Sequence, residues 1–245
     1  MLPYFYIILP SYIVFAFVGS FFALLYTYFR LDRFKVRFTD FLKIFSVCVL
    51  TGFIGGKALF IITQIPQLIM NFTADNAIHL IMHSGFVFYG GLFGVLLTLK
   101  IYAKFGRYNE PTIFNLIAPA IPLFHGFGRI GCLFAGCCYG TVFNEPVEIF
   151  HIRMDRFPVQ AFEAVFEFAL FVAILFIDSK KKHTDLLKMY LLSYAVFRFV
   201  NEFFRGDGAR GFFMGFSTSQ WISIAILAYY AVKSMRDGRK SLESA

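Results

Sequence analysis

The residues best suited to chemistry lie in a few short blocks of an otherwise apolar chain. The first block, 125–140, reads HGFGRIGCLFAGCCYG and sets the cation Arg129 among glycines. Glycine lets a backbone or a ligand approach closely, and arginine carries a permanently charged fork that matches phosphate. Inserting an arginine at the centre of a membrane helix costs about 2.5–3.5 kcal/mol. We therefore expect Arg129 to bind an anion such as a lipid phosphate, unless it snorkels to the interface or pairs with a structural acid.

A second block, 198–208, reads RFVNEFFRGDG and concentrates charge on one stripe. Arg198 and Glu202 are four residues apart and would share a helix face, and Arg205 would lie on the same side. Such residues are costly in an apolar span unless they face an interior cavity. A functional cavity and a simple intrahelical salt bridge that eases insertion are both open interpretations.

The third block, 83–94, reads HSGFVFYGGLFG and combines small residues with one phenol. Gly90 and Gly94 form a GxxxG step, which is typical of close helix packing in membranes. Gly91 widens this smooth face, and Tyr89 would place its hydroxyl at the mouth of the packed region.

The fourth block, 157–167, reads FPVQAFEAVFE. Gln160 and Glu163 are three residues apart and face together on a helix. Glu163 is either the acid for a neighbouring cation or a first-turn residue favoured by the helix dipole. We slightly favour the dipole interpretation.

The cysteine spacing in the first block leaves three interpretations. Cys132, Cys137 and Cys138 offer metal ligands, and His125 and His151 are near in sequence. Zinc sites, however, usually show CxxC pairs with further Cys or His partners, which this spacing does not match. Vicinal thiols are also compatible with redox chemistry. We expect small residues in a tight turn, and no metal.

Composition indicates the elements that position these blocks. The chain is 58% hydrophobic and 16% charged, whereas soluble domains carry about 25% charged residues. A spanning helix needs about 20 mostly apolar residues, and long apolar runs without alternation make strands unlikely. We predict an all-α polytopic membrane protein, one domain over 1–245, with about seven transmembrane helices at 5–29, 41–63, 85–105, 112–131, 160–178, 186–204 and 219–235.

The distribution of basic residues predicts the topology. Three connections and the C-terminal tail hold 15 lysines and arginines, whereas the N-terminus and the three connections on the other side hold five. The positive-inside rule then puts the N-terminus outside, the C-terminus in the cytoplasm, and a segment near 132–158 outside. The first basic residue is Arg30, so the N-terminal run reads as a retained span, not a cleaved signal. Because the charges lie in short loops, the net charge of +8 does not indicate nucleic-acid binding.

Taken together, the blocks FYGGLFG, HGFGRIGCLFAGCCYG, FPVQAFEA and RFVNEFFRGD resemble the prolipoprotein diacylglyceryl transferase family, in its GCCYG form. Ser217 and Gln220, which open the last span, fit the same order. The resemblance implies a multi-pass enzyme of the plasma (inner) membrane. It would transfer the diacylglyceryl group of phosphatidylglycerol to the lipobox cysteine of a preprolipoprotein signal peptide, with release of glycerol 1-phosphate. Membrane lipid is the implied surrounding, and no cofactor is implied.

The resemblance also implies residue roles. Arg129 falls on the family's signature arginine, which binds the phosphatidylglycerol head group. Arg198 and Glu202 fall on the essential arginine and its glutamate partner, and Tyr12 falls on an N-terminal tyrosine.

One position departs from the family. Where the family has a histidine before two consecutive glycines, this chain has Tyr89. A phenol of pKa ~10 is a poor base near neutrality. Tyr89 would orient the phosphate, and His125 is a candidate replacement base. Lipid would enter between helices beside Gly90 and Gly91, which we assign to substrate binding.

Two other functions remain compatible with the residues. A membrane thiol oxidoreductase would use Cys137 and Cys138. A non-catalytic phospholipid-binding paralogue would keep Arg129 and the glycines without needing a thiol acceptor.

Overall fold

A computed structural model describes residues 4–5, 9–70, 85–149, 152–180, 184–206 and 212–243. Within these ranges the chain is mostly helical. The helices are α1 (Ser11–Tyr28), α2 (Leu31–Phe34), α3 (Phe38–Met70), α4 (Phe88–Phe105), α5 (Glu110–Ile117), α6 (Ala120–Ala135), α7 (Val159–Lys180), α8 (Leu186–Asn201) and α9 (Thr218–Glu243).

In the described ranges, five helical segments are long and apolar enough to cross a membrane. They are Ser11–Tyr28, Phe38–Ile65, Phe88–Phe105, Glu110–Ala135 and Val159–Lys180. This agrees with the predicted helical, polytopic architecture. The predicted segments at 186–204 and 219–235 also lie largely in helices, but a count of seven spans and the orientation stay predictions.

Proline shapes two of the helix boundaries. The first predicted span begins at residue 5, whereas α1 begins at Ser11, because Pro10 favours extended backbone in the residue before it. The predicted span at 112–131 is divided into α5 and α6 at Ala118 and Pro119, since proline lacks the N–H that a continuous helix would use.

Short strands occur in the connections, although we considered strands unlikely. Among the described residues each of three sheets has two antiparallel strands: β1 (Tyr4–Phe5) with β2 (Leu9–Pro10), β3 (Val142–Ile149) with β4 (Ile152–Arg156), and β5 (Phe212–Phe213) with β6 (Phe216–Ser217). That expectation concerned the long apolar runs, which are helical, whereas these strands lie between or before the helices. The β3–β4 hairpin occupies much of the segment near 132–158.

The glycines of the third block serve helix packing. α3 and α4 pack side by side, and a Cβ added to Gly90 would lie 2.3 Å from the Gly55 carbonyl oxygen. A Cβ on Gly91 would lie 3.0 Å from the Gly52 oxygen. α3 therefore fills the groove beside Gly90 and Gly91 in which we expected a gap for lipid, and the assignment of these two glycines to substrate binding stays a prediction.

Several helix termini meet at one end of the bundle, which we call the signature end because it contains residues 136–140. There α6 ends, with Gly136 at φ 69° as its left-handed cap, and α7 begins. The Gly140 N–H bonds the Phe157 oxygen at 3.1 Å, and the Thr141 N–H bonds the Phe204 oxygen at 2.9 Å. A Cβ on Gly140 would lie 2.3 Å from the Phe157 oxygen, so only glycine allows this backbone contact.

The last long helix starts at the same end with a reciprocal cap. The Gln220 N–H bonds the Ser217 hydroxyl at 3.2 Å, and the Ser217 N–H bonds the Gln220 side-chain oxygen at 3.0 Å. This is a capping box, and it fixes the first turn of α9 close to the end of α8.

Candidate active site

Charged side chains from three helices, α6, α7 and α8, and from the turn that follows α8 converge inside the signature end. We call this group the buried charge cluster. Its members are His125, Arg129, Glu163, Glu167, Arg198, Glu202 and Arg205. Burying charges in an apolar bundle is costly unless they are paired or serve a ligand, so their partners indicate what the cluster can do.

Arg129 of α6 pairs with Glu163 of α7. Its Nη2 lies 3.0 Å from Glu163 Oε1, and the glutamate side chain is fully buried. The same Oε1 accepts a hydrogen bond from the Tyr194 hydroxyl at 3.1 Å. Our preference for a dipole role of Glu163 was therefore wrong, because helix packing brings a cation and a phenol to this carboxylate.

Glu163 is also the point where the arginines approach one another. Arg129, Arg198 and Arg205 all lie within electrostatic range of its carboxylate, and Arg205 Nη1 is 4.0 Å from Oε2. Arg129 and Arg198, which come from different helices, are both buried inside the bundle and do not face the lipid tails.

His125 links the arginine to a second acid. Arg129 Nε donates to His125 Nε2 at 3.2 Å, and His125 Nδ1 lies 2.8 Å from Glu167 Oε1. Since Nε2 accepts a bond, the proton of the neutral ring is on Nδ1 and is donated to Glu167. The imidazole also stacks on Phe88, with ring centroids 3.5 Å apart. Its acceptor nitrogen is occupied by Arg129, so this geometry favours a positioning role over the base role that we predicted.

Arg198 is the most deeply buried cation of the cluster, with 2% of its surface exposed. Its Nη2 lies 2.5 Å from Glu202 Oε2 and donates to the Ser219 hydroxyl at 3.2 Å. Among the described residues, none accepts a hydrogen bond from Arg198 Nη1. The predicted Arg198–Glu202 pair is present, and it leaves one buried donor nitrogen available.

Arg205 does not continue the helical stripe that we predicted. α8 ends at Asn201, and a 3₁₀ turn over Glu202–Phe204 follows. Arg205 adopts extended backbone after this turn and still reaches Glu163. Asp207 and Gly208 of the same block lie outside the described residues.

Tyr89 reaches the cluster through α9. Ser223 donates its hydroxyl proton to the Ser219 carbonyl at 2.9 Å, so Tyr89 donates to Ser223 Oγ across 2.8 Å. Ser219 is the residue that accepts from Arg198. Tyr89 is 1% exposed. Its hydroxyl bonds α9, the helix whose Ser219 accepts the hydrogen bond from Arg198.

Tyr12 is placed differently from the other predicted site residues. It lies in the first turn of α1 and is 50% exposed. Its Cα lies against Gly131, which brings the backbone close to α6. The structure does not bring its phenol into the buried charge cluster.

The three cysteines of the first block come together beside the cluster. Their sulfur atoms lie within 4.8 Å of one another and are close enough to share a metal ion. A hydrogen bond with Cys132 lowers the pKa of Cys137, but one with Cys138 and partial shielding of the sulfur from water raise it, to about 11 overall. Redox-active cysteines usually have lowered pKa values, so this environment does not favour the thiol oxidoreductase.

Sequence reasoning missed several members of the site. Glu167 lies four residues after Glu163, and two inward-facing acids at this spacing on an apolar helix were a usable signal. Ser219 and Ser223 show the same spacing on α9. Tyr194 carried no signal, because buried tyrosines are common in such a bundle.

Comparison with known proteins gives one consistent result. Residues 4–235 match the family model described as prolipoprotein diacylglyceryl transferase. The chain is 35% identical over 196 residues to phosphatidylglycerol–prolipoprotein diacylglyceryl transferase 2 of Clostridium perfringens, covering 76% of this chain and 75% of the relative. It is 33% identical over 186 residues to the phosphatidylglycerol–prolipoprotein diacylglyceryl transferase of Clostridium tetani, covering 73% of each chain.

Proposed function

The chain belongs to the prolipoprotein diacylglyceryl transferase family, and we propose that its buried charge cluster transfers the diacylglyceryl group of phosphatidylglycerol to a lipobox cysteine. The names of its relatives support this substrate pair. The observation that carries the site assignment is Arg198, which is buried and has no acceptor for Nη1 among the described residues. A buried donor without a partner costs about 1–3 kcal/mol, and a lipid phosphate oxygen would supply the missing acceptor.

Arg129 and Arg198 form the proposed phosphate site. They come from α6 and α8, and both lie within electrostatic range of Glu163. Guanidinium groups bind phosphate through charge-assisted hydrogen bonds, often two at once. Glu163 and Glu202 would hold the two forks in place, while a phosphate approaches the nitrogen that these acids do not occupy.

The reaction moves charge onto the phosphate. The lipobox sulfur forms a bond to glyceryl C3 of the diacylglyceryl group, and the C3–O bond to phosphate breaks. Glycerol 1-phosphate leaves with one more negative charge than the phosphodiester carried, and the thiol proton is released to water. Donors placed at such a developing charge are worth about 10²–10³ in rate each, which is the role that we assign to Arg129 and Arg198.

The proton acceptor is not a residue of the cluster in this proposal. A cysteine thiol with a pKa of ~8.5 needs modest help to ionise. His125 holds Arg129 through its acceptor nitrogen, and Tyr89 donates to Ser223. We assign both to positioning the phosphate-binding arginines.

The location of the cluster fits an enzyme of the plasma membrane with its site toward the outer face. The cluster lies at the signature end, together with the β3–β4 hairpin. The runs with most lysines and arginines, beginning with 30–37, lie at the opposite helix ends. The positive-inside rule places those runs in the cytoplasm.

Reconstitution tests the proposed reaction directly. The full chain in phosphatidylglycerol vesicles is given a peptide with a lipobox cysteine, and the peptide mass and free glycerol 1-phosphate are measured. We expect the peptide to gain one diacylglyceryl group for each glycerol 1-phosphate released. Vesicles of phosphatidylcholine alone are the control. Binding of phosphatidylglycerol without release of glycerol 1-phosphate would replace this proposal with the non-catalytic paralogue.

A further inference from the structure

The three thiols of the first block form a compact group outside the proposed phosphate site. Cys132, Cys137 and Cys138 are thiols and not members of a disulfide, and their sulfurs lie within 4.8 Å of one another. Around a zinc ion with Zn–S bonds of about 2.3 Å, sulfurs lie about 3.8 Å apart. The observed spacing therefore needs only small side-chain adjustments to surround one ion.

The local backbone brings the thiols to one side. Cys132 lies in the last turn of α6, and the Cys137 N–H bonds its carbonyl at 3.2 Å. Gly136 and Cys138 both adopt left-handed backbone, with φ of 69° and 59°. These two reversals fold the chain back over the helix end, so residues five and six positions after Cys132 return to its sulfur.

We propose that Cys132, Cys137 and Cys138 bind one zinc ion through their three sulfurs. Thiolates select soft ions such as zinc over magnesium or calcium. Three protein ligands leave a fourth position for water, as in open zinc sites. Cys137 is exposed, which gives the ion a path from solvent and leaves room for that water.

The charge around the thiols suits such a site. Three thiolates and one Zn²⁺ carry a net charge of −1. Arg129 lies one helical turn before Cys132 on α6, and helix neighbours three apart share a face. The spacing of the cysteines in the sequence did not indicate a metal site, because Cys132 and Cys137 do not form a CxxC pair. The left-handed backbone at Gly136 and Cys138 nevertheless brings the three sulfurs close together.

The zinc ion would fasten the end of α6 to the segment that enters β3. The Gln160 side-chain amide donates to the Cys137 carbonyl at 2.6 Å, so this turn also contacts α7. Gly140, two residues after Cys138, bonds the Phe157 backbone. We expect zinc to stabilise the connection around the charge cluster, since a ligand that binds only the folded state stabilises it.

Metal analysis of the full chain tests the site. The protein is purified in detergent with a phosphine reductant, loaded with zinc, and freed of excess metal. We expect about one zinc per chain, as for a three-thiolate site, and loss of this zinc in the Cys132→Ser/Cys137→Ser double variant. Cys48→Ser is the matched control, since Cys48 is a free cysteine buried in α3, and it should keep its zinc.

Cobalt provides a second measurement on the unmodified chain, in case the double variant does not fold. Adding Co²⁺ to the metal-free protein should produce sulfur-to-cobalt charge-transfer absorption. Zinc should abolish this absorption and raise the thermal unfolding midpoint. The proposal would be overturned if the wild-type chain held no more zinc per chain than the double variant and showed no cobalt absorption. A disulfide joining Cys132 to Cys137 or Cys138 in protein isolated without reductant would also overturn it. Transfer activity is measured in parallel. A wild-type chain that takes up neither zinc nor cobalt but still transfers the diacylglyceryl group would refute the metal site and leave the proposed reaction intact.

Discussion

The two ends of the bundle both collect arginines and acids, yet they treat the arginines differently. At the basic end, which contains residues 30–37, Arg30 and Arg33 lie 3.0 and 2.6 Å from Asp178 Oδ2. The Arg33 side chain there is 47% exposed. At the signature end the Arg129 and Arg198 side chains are 9% and 2% exposed. The basic end thus keeps part of its charge at the surface, whereas the signature end hides it.

The ends also differ in which nitrogens are satisfied. Both terminal nitrogens of Arg33 reach Asp178, at 2.6 and 3.0 Å. Those of Arg30 bond the Tyr26 hydroxyl and the Asn115 carbonyl. The terminal Nη1 of Arg198, by contrast, has no acceptor in the part of the chain described. Arg30 Nε has no partner among the described residues either, so the contrast concerns the terminal nitrogens alone. Arginines whose two terminal nitrogens are bonded fit a role in topology and helix packing, while a buried arginine with an open terminal nitrogen fits a ligand site.

A cavity at the basic end does not change this assignment. It has a volume of about 450 Å³. Its lining residues are Arg33, Phe34, Asn115, Asp178, Ser179 and Thr184. Both terminal nitrogens of the arginine in this lining are already bound by Asp178, so the cavity offers an incoming phosphate no open terminal nitrogen of Arg33.

The largest expected effect separates the two arginines. Arg198→Ala should reduce diacylglyceryl transfer by about 100-fold or more, because it removes a donor aimed at developing phosphate charge. Arg33→Ala is the matched control and should stay within about threefold, since exposed ion pairs contribute little. The measurement is glycerol 1-phosphate release in phosphatidylglycerol vesicles. If Arg198→Ala and Arg33→Ala lost transfer activity equally, the assignment of the phosphate site to the signature end would be wrong.

The acids should differ in the same way, with a smaller effect. Glu163→Gln should lower transfer about 10- to 100-fold, because Arg129 loses the charge that holds it and Tyr194 keeps only a neutral acceptor. Asp178→Asn is the counterpart at the basic end and should lower the unfolding temperature while sparing turnover of the folded fraction. Breaking a buried pair is destabilising, so rates are compared per folded molecule, measured by size-exclusion recovery. A Glu163→Gln enzyme with wild-type turnover would limit Glu163 to a structural role.

The sequence was sufficient for the parts of this comparison that are local. Apolar length located the helices, and charge at apolar depth singled out Arg129 and Arg198 before any partner was known. The spacing of Ser217 and Gln220 marked the start of α9, which a capping box confirms. Each of these signals depends on residues within one continuous segment of the chain.

The remaining features depend on contacts between distant segments. Nothing near Glu163 in sequence shows that α6 delivers Arg129 to it. Gly90 carries the same GxxxG pattern whether lipid or another helix fills the groove, and only the packing of α3 decides between them. The cysteines meet through two left-handed residues, one of them not glycine, which composition does not predict.

His125 tests whether the cluster contains a base or only positioning groups. His125→Asn should slow transfer about tenfold, because Arg129 loses its bond to Nε2. The dependence of kcat/KM on pH should keep its shape, since the proposal assigns no proton transfer to this ring. A change in the shape of the pH profile, with loss of a limb near neutrality, would restore His125 as the base.

The smallest expected effect concerns two tyrosines, one at each end of the comparison. Tyr89 donates to Ser223 beside the cluster, and Tyr108 donates to Asp40 at 2.9 Å at the basic end. Tyr89→Phe keeps the ring and removes one neutral hydrogen bond, worth about 1 kcal/mol, so kcat should fall roughly two- to fivefold with little change in the KM for phosphatidylglycerol. Tyr108→Phe should leave kcat unchanged. A Tyr89→Phe loss as large as that of Arg198→Ala would place the phenol on the phosphate itself, because a hydroxyl that acts only through Ser223 and α9 cannot account for so large an effect.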